Sequence, residues 1–294
     1  MKYVITGSIG NISKPLTQAL VNAGNNVTVI TSKKENTAAI EALGATAAVG
    51  SVEDVEFLTK TFTGADAVYT MVPPKWDAAN WKDYIENIGK NYAAAIKATG
   101  VKYVVNLSSV GAHMNDGAGP VSGLHRAENA LNALADVNIK HLRPAYFYAN
   151  LLANVGMIKH MGIIGGNFGE KPFALVHTDD IAVAATEELL NLNFTGHSVR
   201  YIAGDEKTGF EIAKTLGTAI GQSDLPWIVF TDEQSLQGAI GAGLPEEVAK
   251  NYTEMGAALA SGEMNADYFN NRPATLGKIK LEDFAKQFAA AFHA

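Results

Sequence analysis

The chain begins MKYVITGSIGNIS (residues 1–13), and a second apolar run, NVTVI, follows at residues 26–30. The first apolar run has the length of a strand buried on both faces, the glycines mark a tight turn, and residues 15–21 have helical spacing. Gly24 ends that helix as a C-cap. This order of strand, glycine turn, helix and strand predicts the first unit of a parallel sheet.

The same alternation continues for about half of the chain. Further strands are predicted at residues 45–49, 65–72, 101–107 and 139–147. Strands and helices at this spacing are typical of βαβ units, so we expect an α/β fold with a Rossmann-type, doubly wound parallel sheet. Ligands of such sheets bind beyond the carboxyl ends of the strands. The residues that follow each strand should therefore form one rim.

The pattern loosens after Asn150. Short strands are predicted at residues 173–176, 199–203 and 227–230. Asp179 is the expected N-cap of a helix at residues 181–190, and most of the remaining sequence is helical. We therefore predict a Rossmann domain at residues 1–150. A smaller, mixed α/β lobe that covers the rim is predicted at residues 151–294, interleaved with the last strands of the sheet.

The composition excludes several classes of function. With 23 basic and 30 acidic side chains the net charge is −7, so the global field repels nucleic acid, and no basic patch exceeds a lysine pair. The chain has no cysteine, which excludes disulfides, thiolate metal sites and a cysteine nucleophile. The seven histidines do not have the spacing of metal ligands, so no metal is expected.

The sequence also limits where the chain can act. No apolar run approaches the ~18 residues of a membrane span, and the N-terminus enters a strand without a signal peptide. We expect a cytoplasmic protein that does not bind a membrane. A monomer and a homodimer are both compatible with the sequence.

The glycine turn predicts a dinucleotide site. Gly7 permits the tight turn, and Gly10 lets the backbone approach a pyrophosphate without a Cβ in the way. Ser13 stands at the third small position, where glycine is usual, and it is small enough to keep helix and strand close. The alternative is a turn with a purely structural role. Because the glycine turn lies between two strands of a βαβ unit, we favour the dinucleotide site over the structural turn.

The end of the second strand predicts which dinucleotide binds. An NAD site has Asp or Glu there, to bind the ribose 2′-hydroxyl. This chain has Thr31, Ser32, Lys33 and Lys34 instead, which suit a 2′-phosphate. The sequence therefore favours NADP(H), although a solvated lysine pair would have the same appearance.

The chain resembles the NmrA-like group of atypical short-chain dehydrogenases/reductases over nearly its whole length. The resemblance rests on TGSIGNIS (6–13), ADAV (65–68), GVK (100–102), LRPAYF (142–147) with NLL (150–152), and HTDDIA (177–182). It implies an NADP-binding Rossmann domain and a substrate lobe. Some members are quinone or ketone reductases, and others are cofactor sensors without turnover.

The rim and the resemblance together define the expected cofactor site. It comprises Gly7, Ser8, Ile9, Gly10, Asn11, Ile12, Thr31, Ser32, Lys33, Gly50, Ser51, Met71, Val72, Pro73, Leu107, Ser108, Ser109, Pro144 and Tyr146.

The catalytic residues are less well defined. Members of the superfamily usually protonate a carbonyl with Tyr, assisted by Lys four residues later, but no tyrosine here has Lys at that position. His125 can carry a proton near neutral pH and is the candidate acid, with a helix-surface histidine as the alternative. Glu128, one turn later, could orient it or pair with Arg126 or solvent. Ser108 and Ser109 end the fifth strand, where a superfamily serine faces the nicotinamide, and Ser109 is the candidate. A register shifted by one residue would place Val110 there, and turn capping is the alternative role of the serines.

These observations favour an NADPH-dependent oxidoreductase that transfers hydride to a small, flat acceptor such as a quinone or ketone. Clustered aromatics at residues 146–148 could stack on such an acceptor, and Trp76 and Trp81 could gate it, although core packing explains them equally. The alternative is a non-catalytic NADP(H)-binding redox sensor, which the missing Tyr/Lys pair also fits.

Overall fold

A computed structural model describes all 294 residues. Its centre is a seven-stranded sheet in which every pairing is parallel, in the order β10-β6-β5-β4-β1-β2-β3. The strands are β1 Lys2–Ile5, β2 Asn26–Thr31, β3 Thr46–Val49, β4 Ala67–Thr70, β5 Tyr103–Leu107, β6 Asn138–Pro144 and β10 His197–Ile202. The order reverses between β1 and β4, which is where a doubly wound sheet opens its ligand crevice. The predicted Rossmann-type fold is confirmed.

Twelve helices surround the sheets. They are α1 Ser13–Asn22, α2 Thr37–Glu41, α3 Val55–Phe62, α4 Trp81–Thr99, α5 Pro120–Asn132, α6 Val155–Met161, α7 Thr178–Asn191, α8 Gly209–Ala219, α9 Asp232–Gly241, α10 Glu246–Ser261, α11 Glu263–Asn270 and α12 Leu281–His293. None combines the length and apolar character needed to span a membrane. The expected cap Asp179 is wrong by two residues: His177 is the N-cap of α7, and its side chain accepts a hydrogen bond from the Asp179 amide.

The two faces of the sheet have separate cores. Val68 and Val104 are buried in the cluster on the face covered by α3, α4 and α5, while Tyr69 and Val105 are buried in the cluster on the opposite face. Helices α4 and α5 can approach closely because Gly89 has no side chain. A Cβ at Gly89 would lie only 2.6 Å from the Cα of Ala127. This close approach fixes α5, and with it His125, against the sheet.

The second half of the chain builds a smaller lobe from two short sheets. One sheet has the order β11-β9-β7 and the other pairs β12 with β8. Their strands are β7 Tyr146–Phe147, β8 Ile164–Gly166, β9 Phe173–Val176, β11 Asp205–Lys207 and β12 Trp227–Val229. Helix α7 packs against α1, and β10 joins the main sheet, so the chain returns to the Rossmann part after entering the lobe. The division near residue 150 stays a prediction.

A buried ion-pair cluster ties the lobe to the sheet. Both carboxylate oxygens of Glu128 on α5 accept from Arg143 on β6, at 3.0 and 2.6 Å. Arg143 also donates to the Tyr201 hydroxyl on β10 and to Asp267 on α11, and Tyr201 in turn donates to Asp267. Burial alone would lower the pKa of Arg143, but the Glu128 carboxylate and the Tyr201 hydroxyl together hold it above its usual range. Glu128 therefore pairs with neither His125 nor Arg126, the two partners considered from the sequence.

Candidate active site

The glycine turn depends on a backbone that other residues cannot adopt without strain. Gly7 has φ +91°, and a Cβ there would lie 2.4 Å from the Ser13 Oγ. Ser8 follows with φ 55°. Ser13 does more than fill a small position, because its hydroxyl donates to the Thr6 carbonyl at 2.9 Å and so fastens α1 to β1. The positive φ of Gly7 and the Ser13–Thr6 hydrogen bond therefore both fix the conformation of the turn.

The turn and the start of α1 present unpaired hydrogen-bond donors. The amides of Ile9, Asn11, Ile12 and Ser13 donate no hydrogen bond within the chain. The first turn of α1 carries no acidic side chain, so nothing in it neutralises the positive end of the helix dipole. Free amides at a helix N-terminus bind phosphate oxygens. The chemistry of this donor set fits a pyrophosphate.

The end of β2 is linked to this turn by a polar cluster. The Ser8 hydroxyl donates to the Thr31 Oγ1 at 2.9 Å, and the Asn36 amide donates to the Ser8 Oγ at 3.0 Å. Lys33 and Lys34 are exposed and take part in no ion pair. Sequence reasoning missed Asn36, because only the 3-10 turn at 34–36 brings it back to the rim. Ser32 is exposed beside the lysines.

The ends of β3 and β4 continue the rim on either side of the glycine turn and the end of β2. Gly50 donates to the Thr31 carbonyl at 2.9 Å, and a Cβ there would lie 2.5 Å from the Phe57 ring. Met71 is held through both backbone groups: its amide donates to the Thr6 Oγ1 at 2.8 Å, and its carbonyl accepts from a buried tyrosine of α4. Its side chain lies against Gly7, at 3.1 Å from the position of a Cβ. Ser51, Val72 and Pro73 follow the same two strand ends.

Backbone hydrogen bonds continue between the segments that follow β5 and β6, past the ends of the two strands. The Ser108 amide donates to the Leu142 carbonyl at 2.7 Å, and the Val110 amide donates to the Pro144 carbonyl at 2.9 Å. The hydroxyl of Ser108 is buried and has no partner within the chain. A buried hydroxyl without a partner costs free energy, so a ligand group bonded to it would be stabilised. The Ser109 hydroxyl instead donates to the Val110 carbonyl at 2.8 Å.

His125 is already engaged on both ring nitrogens. Its Nδ1 lies 2.9 Å from the Ala112 carbonyl, and its Nε2 lies 2.9 Å from the Asn129 side-chain nitrogen. A carbonyl can only accept, so Nδ1 carries the proton, and Nε2 accepts from the Asn129 amide. Both ring nitrogens are therefore occupied within the chain, and no free N–H is left for a substrate. The role of His125 as an acid stays a prediction.

The predicted aromatic cluster divides between the site and the core. Tyr146 packs edge-on against Phe168 and Phe173 of the lobe, with ring centroids 5.6 and 5.8 Å away. Burial raises the pKa of the Tyr146 hydroxyl. Tyr148 is fully buried and donates to Asp205, so it is a core residue and cannot stack on an acceptor.

Because the main sheet is wholly parallel, the predicted cofactor residues that follow its strands lie along one edge. Thr6 and Asn36 hydrogen-bond to Met71 and Ser8 of this set, and Ser13 bonds to the Thr6 carbonyl. No three His, Asp or Glu side chains are arranged to hold a metal ion.

A family model described as NAD(P)H-binding matches residues 7–147. This part of the chain is an NAD(P)H-binding domain, and the cofactor class predicted from the glycine turn is confirmed. Of the resemblance stated from the sequence, the NAD(P)H-binding domain is thus confirmed, and solved structures described below share the fold.

Three relatives span almost the whole chain. The NAD(P)H azoreductase of Xenophilus azovorans is 24% identical over 295 residues, which cover 99% of each chain. The NADPH-dependent quinone oxidoreductase of Escherichia coli, solved with NADPH, has a TM-score of 0.83 at 19% identity, covering 97% of this chain and 99% of that one. The triphenylmethane reductase of Citrobacter sp., solved with NADP(H), has a TM-score of 0.80 at 19% identity, covering 98% and 100%. At these identities the solved structures show a shared fold.

Proposed function

We propose that this chain is an NADPH-dependent reductase of small, flat, aromatic acceptors such as quinones. The observation that carries the proposal is the full-length similarity to an azoreductase, combined with a rim that has free phosphate-binding amides at one end and aromatic side chains at the other. NADPH, when bound, supplies the hydride.

The residues of this chain contribute chiefly by positioning. The unpaired amides of Asn11 and Ile12 would hold the pyrophosphate, and the unpartnered hydroxyl of Ser108 would bond to a polar group of the cofactor or acceptor at the end of β5. Tyr146, packed against Phe168 and Phe173 of the lobe, would form an apolar wall near the end of β6. Quinone reduction also consumes a proton, which water can supply, so neither a Tyr/Lys pair nor His125 is required.

We infer a preference for NADPH over NADH from the end of β2. Lys33 and Lys34 form no ion pair, and they follow Thr31, which bonds with Ser8 and Asn36 at the edge of the glycine turn. A 2′-phosphate would gain charge-assisted hydrogen bonds there. No carboxylate stands among residues 31–34 to accept from a ribose 2′-hydroxyl.

The direct test is NADPH oxidation, followed at 340 nm, with a panel of quinones and azo dyes. We expect saturable turnover with at least one acceptor, and slower turnover with NADH. Tight NADPH binding without turnover on the whole panel would contradict the proposal.

The second candidate is an NADP(H) sensor without catalysis. It is favoured by one observation: both nitrogens of His125, the only replacement found for the missing Tyr/Lys pair, are engaged within the chain. Binding without turnover, together with a change in protease sensitivity between NADP⁺ and NADPH, would support it. The cytoplasmic location and the oligomeric state stay predictions.

A further inference from the structure

Trp76 is a large aromatic residue with one face supported and the other open to solvent. It retains 47% of its accessible surface, whereas Trp81 retains 5%. Its ring centroid lies 5.6 Å from that of Trp81 and 6.1 Å from that of Tyr252, and those two rings lie 5.5 Å apart edge to face. Two packed aromatic residues therefore support the inner side of an exposed one.

This aromatic group joins the rim to the lobe. Trp76 lies on the loop after β4, five residues beyond Met71, whose side chain contacts Gly7 at the cofactor turn. Five residues reach at most about 18 Å, so Trp76 stands within that distance of the cofactor site. Tyr252 belongs to α10 of the lobe. The group therefore lies where the loop after β4 meets helix α10 of the lobe.

The loop that carries Trp76 is tied to the rest of the chain through Lys75. Lys75 bonds to both carboxylate oxygens of Glu53 at 3.1 Å and lies 5.3 Å from the centre of the Tyr84 ring. Pro73 and Pro74 precede it and restrict the backbone. A ring held in advance binds a flat partner without a further ordering cost.

Other exposed aromatic residues lack this setting. Phe210 is 51% exposed, but it lies on α8, which packs against α12, β11 and β12 rather than against the rim. An isolated exposed aromatic needs no explanation, whereas one supported by other rings where the rim meets the lobe is a candidate contact for a ligand. Phe210 therefore provides a matched control.

We propose that Trp76 is the stacking platform for the outer ring of a two-ring acceptor, and that it makes the enzyme prefer acceptors with two linked aromatic rings over single-ring quinones. This inference rests on the proposed reductase function and names its substrate class. On this proposal a single ring bound at the cofactor leaves Trp76 uncontacted, whereas the second ring of a linked pair reaches it.

The test compares the full-length wild type with Trp76→Ala, Trp76→Phe and Phe210→Ala. The acceptors are methyl red, which has two rings, and 1,4-benzoquinone, which has one; no cysteine is present to form quinone adducts. NADPH affinity is measured for each variant by calorimetry. Equilibrium dialysis of methyl red against the NADP⁺-loaded proteins gives acceptor binding independently of turnover.

For Trp76→Ala, we expect the methyl red Kd and KM to rise about tenfold, the benzoquinone kcat/KM to change by less than about twofold, and NADPH affinity to stay unchanged. Trp76→Phe should retain most of the methyl red binding, and Phe210→Ala all of it. Equal losses on both acceptors, or no loss, would overturn the inference, as would a wild type that does not bind methyl red. If the wild type binds methyl red but oxidises NADPH with neither acceptor, the reductase proposal fails. Dialysis then still decides the role of Trp76.

Discussion

Replacement of Gly7 by alanine tests the geometry of the cofactor turn. The structure gives two separate reasons for damage: φ is +91°, and the new Cβ would lie 2.4 Å from the Ser13 Oγ. To relieve the contact, Ser13 must rotate or α1 must move, and the hydrogen bond to the Thr6 carbonyl is lost.

The expected cost follows from these two effects. A non-glycine residue in the left-handed region costs about 1–2 kcal/mol. Loss of a buried hydrogen bond adds about 1 kcal/mol. The free energy of unfolding should therefore fall by about 2–3 kcal/mol, or about 5 °C in Tm for a chain of this size. Because the free amides move with α1, the NADPH Kd should rise at least about tenfold.

Gly24→Ala is the matched control. Gly24 stands after the other end of α1 with φ +78°, and a Cβ there meets no atom within 4 Å. The Gly24→Ala variant should lose only about 1 kcal/mol of unfolding free energy, from backbone strain, and its affinity for NADPH should stay unchanged. Ser13→Ala in the Gly7→Ala background removes the contacting Oγ, so the double variant should be more stable than the sum of the two single effects.

The assays are urea unfolding and calorimetric titration with NADPH. Equal stability losses for Gly7→Ala and Gly24→Ala would refute the role of the Ser13 contact. Unchanged NADPH affinity in Gly7→Ala would refute the assignment of this turn as the phosphate site.

Three further predictions concern the β2 rim and the buried polar groups. Lys33→Glu should raise the NADPH Kd at least about tenfold and leave the NADH Kd within about twofold, as measured by calorimetry; Lys97→Glu, at the exposed end of α4, should change neither, and an unaffected NADPH Kd in Lys33→Glu would reject the 2′-phosphate assignment. Glu128→Gln should lower the free energy of unfolding in urea by about 3–5 kcal/mol, because it leaves the Arg143 charge buried without its bidentate partner; a loss below 1 kcal/mol would contradict this. Burial lowers the pKa of His141 from 6.5 to about 4, so the unfolded chain takes up the proton first, and the stability present above pH 6.5 should fall by about 3 kcal/mol by pH 4. In urea titrations the His141→Gln variant should lack this part of the pH dependence, and a pH profile identical to that of the wild type would contradict the prediction.

The parts of the fold that the sequence reveals are those whose pattern is local. The glycine turn, the apolar strands and the helix ends such as Gly100 are each encoded in a few neighbouring residues. The short elements α6, β8 and β11 carry no such signal, because three to seven residues are too few for a period to show. The N-cap of α7 was misplaced because histidine is not among the usual capping residues.

The candidate site also divides into residues that the local sequence reveals and residues that only the fold brings together. Gly7, Gly10 and Lys33 are visible in the sequence because their types and spacing have a direct chemical meaning. Asn36 and Tyr252 become visible only when folding brings a 3-10 turn and a distant helix to the rim. Glu128 was paired with its helical neighbours because sequence spacing shows only contacts within one helix, whereas its partner lies on β6.

The most direct test of the central claim is a single-turnover experiment under anaerobic conditions. The wild-type protein, saturated with NADPH, is mixed with one equivalent of 1,4-naphthoquinone, and absorbance at 340 nm is followed together with hydroquinone formation. The account predicts one NADPH consumed for each quinone reduced, at a rate well above that of free NADPH. A bound NADPH that persists at the uncatalysed rate would contradict it.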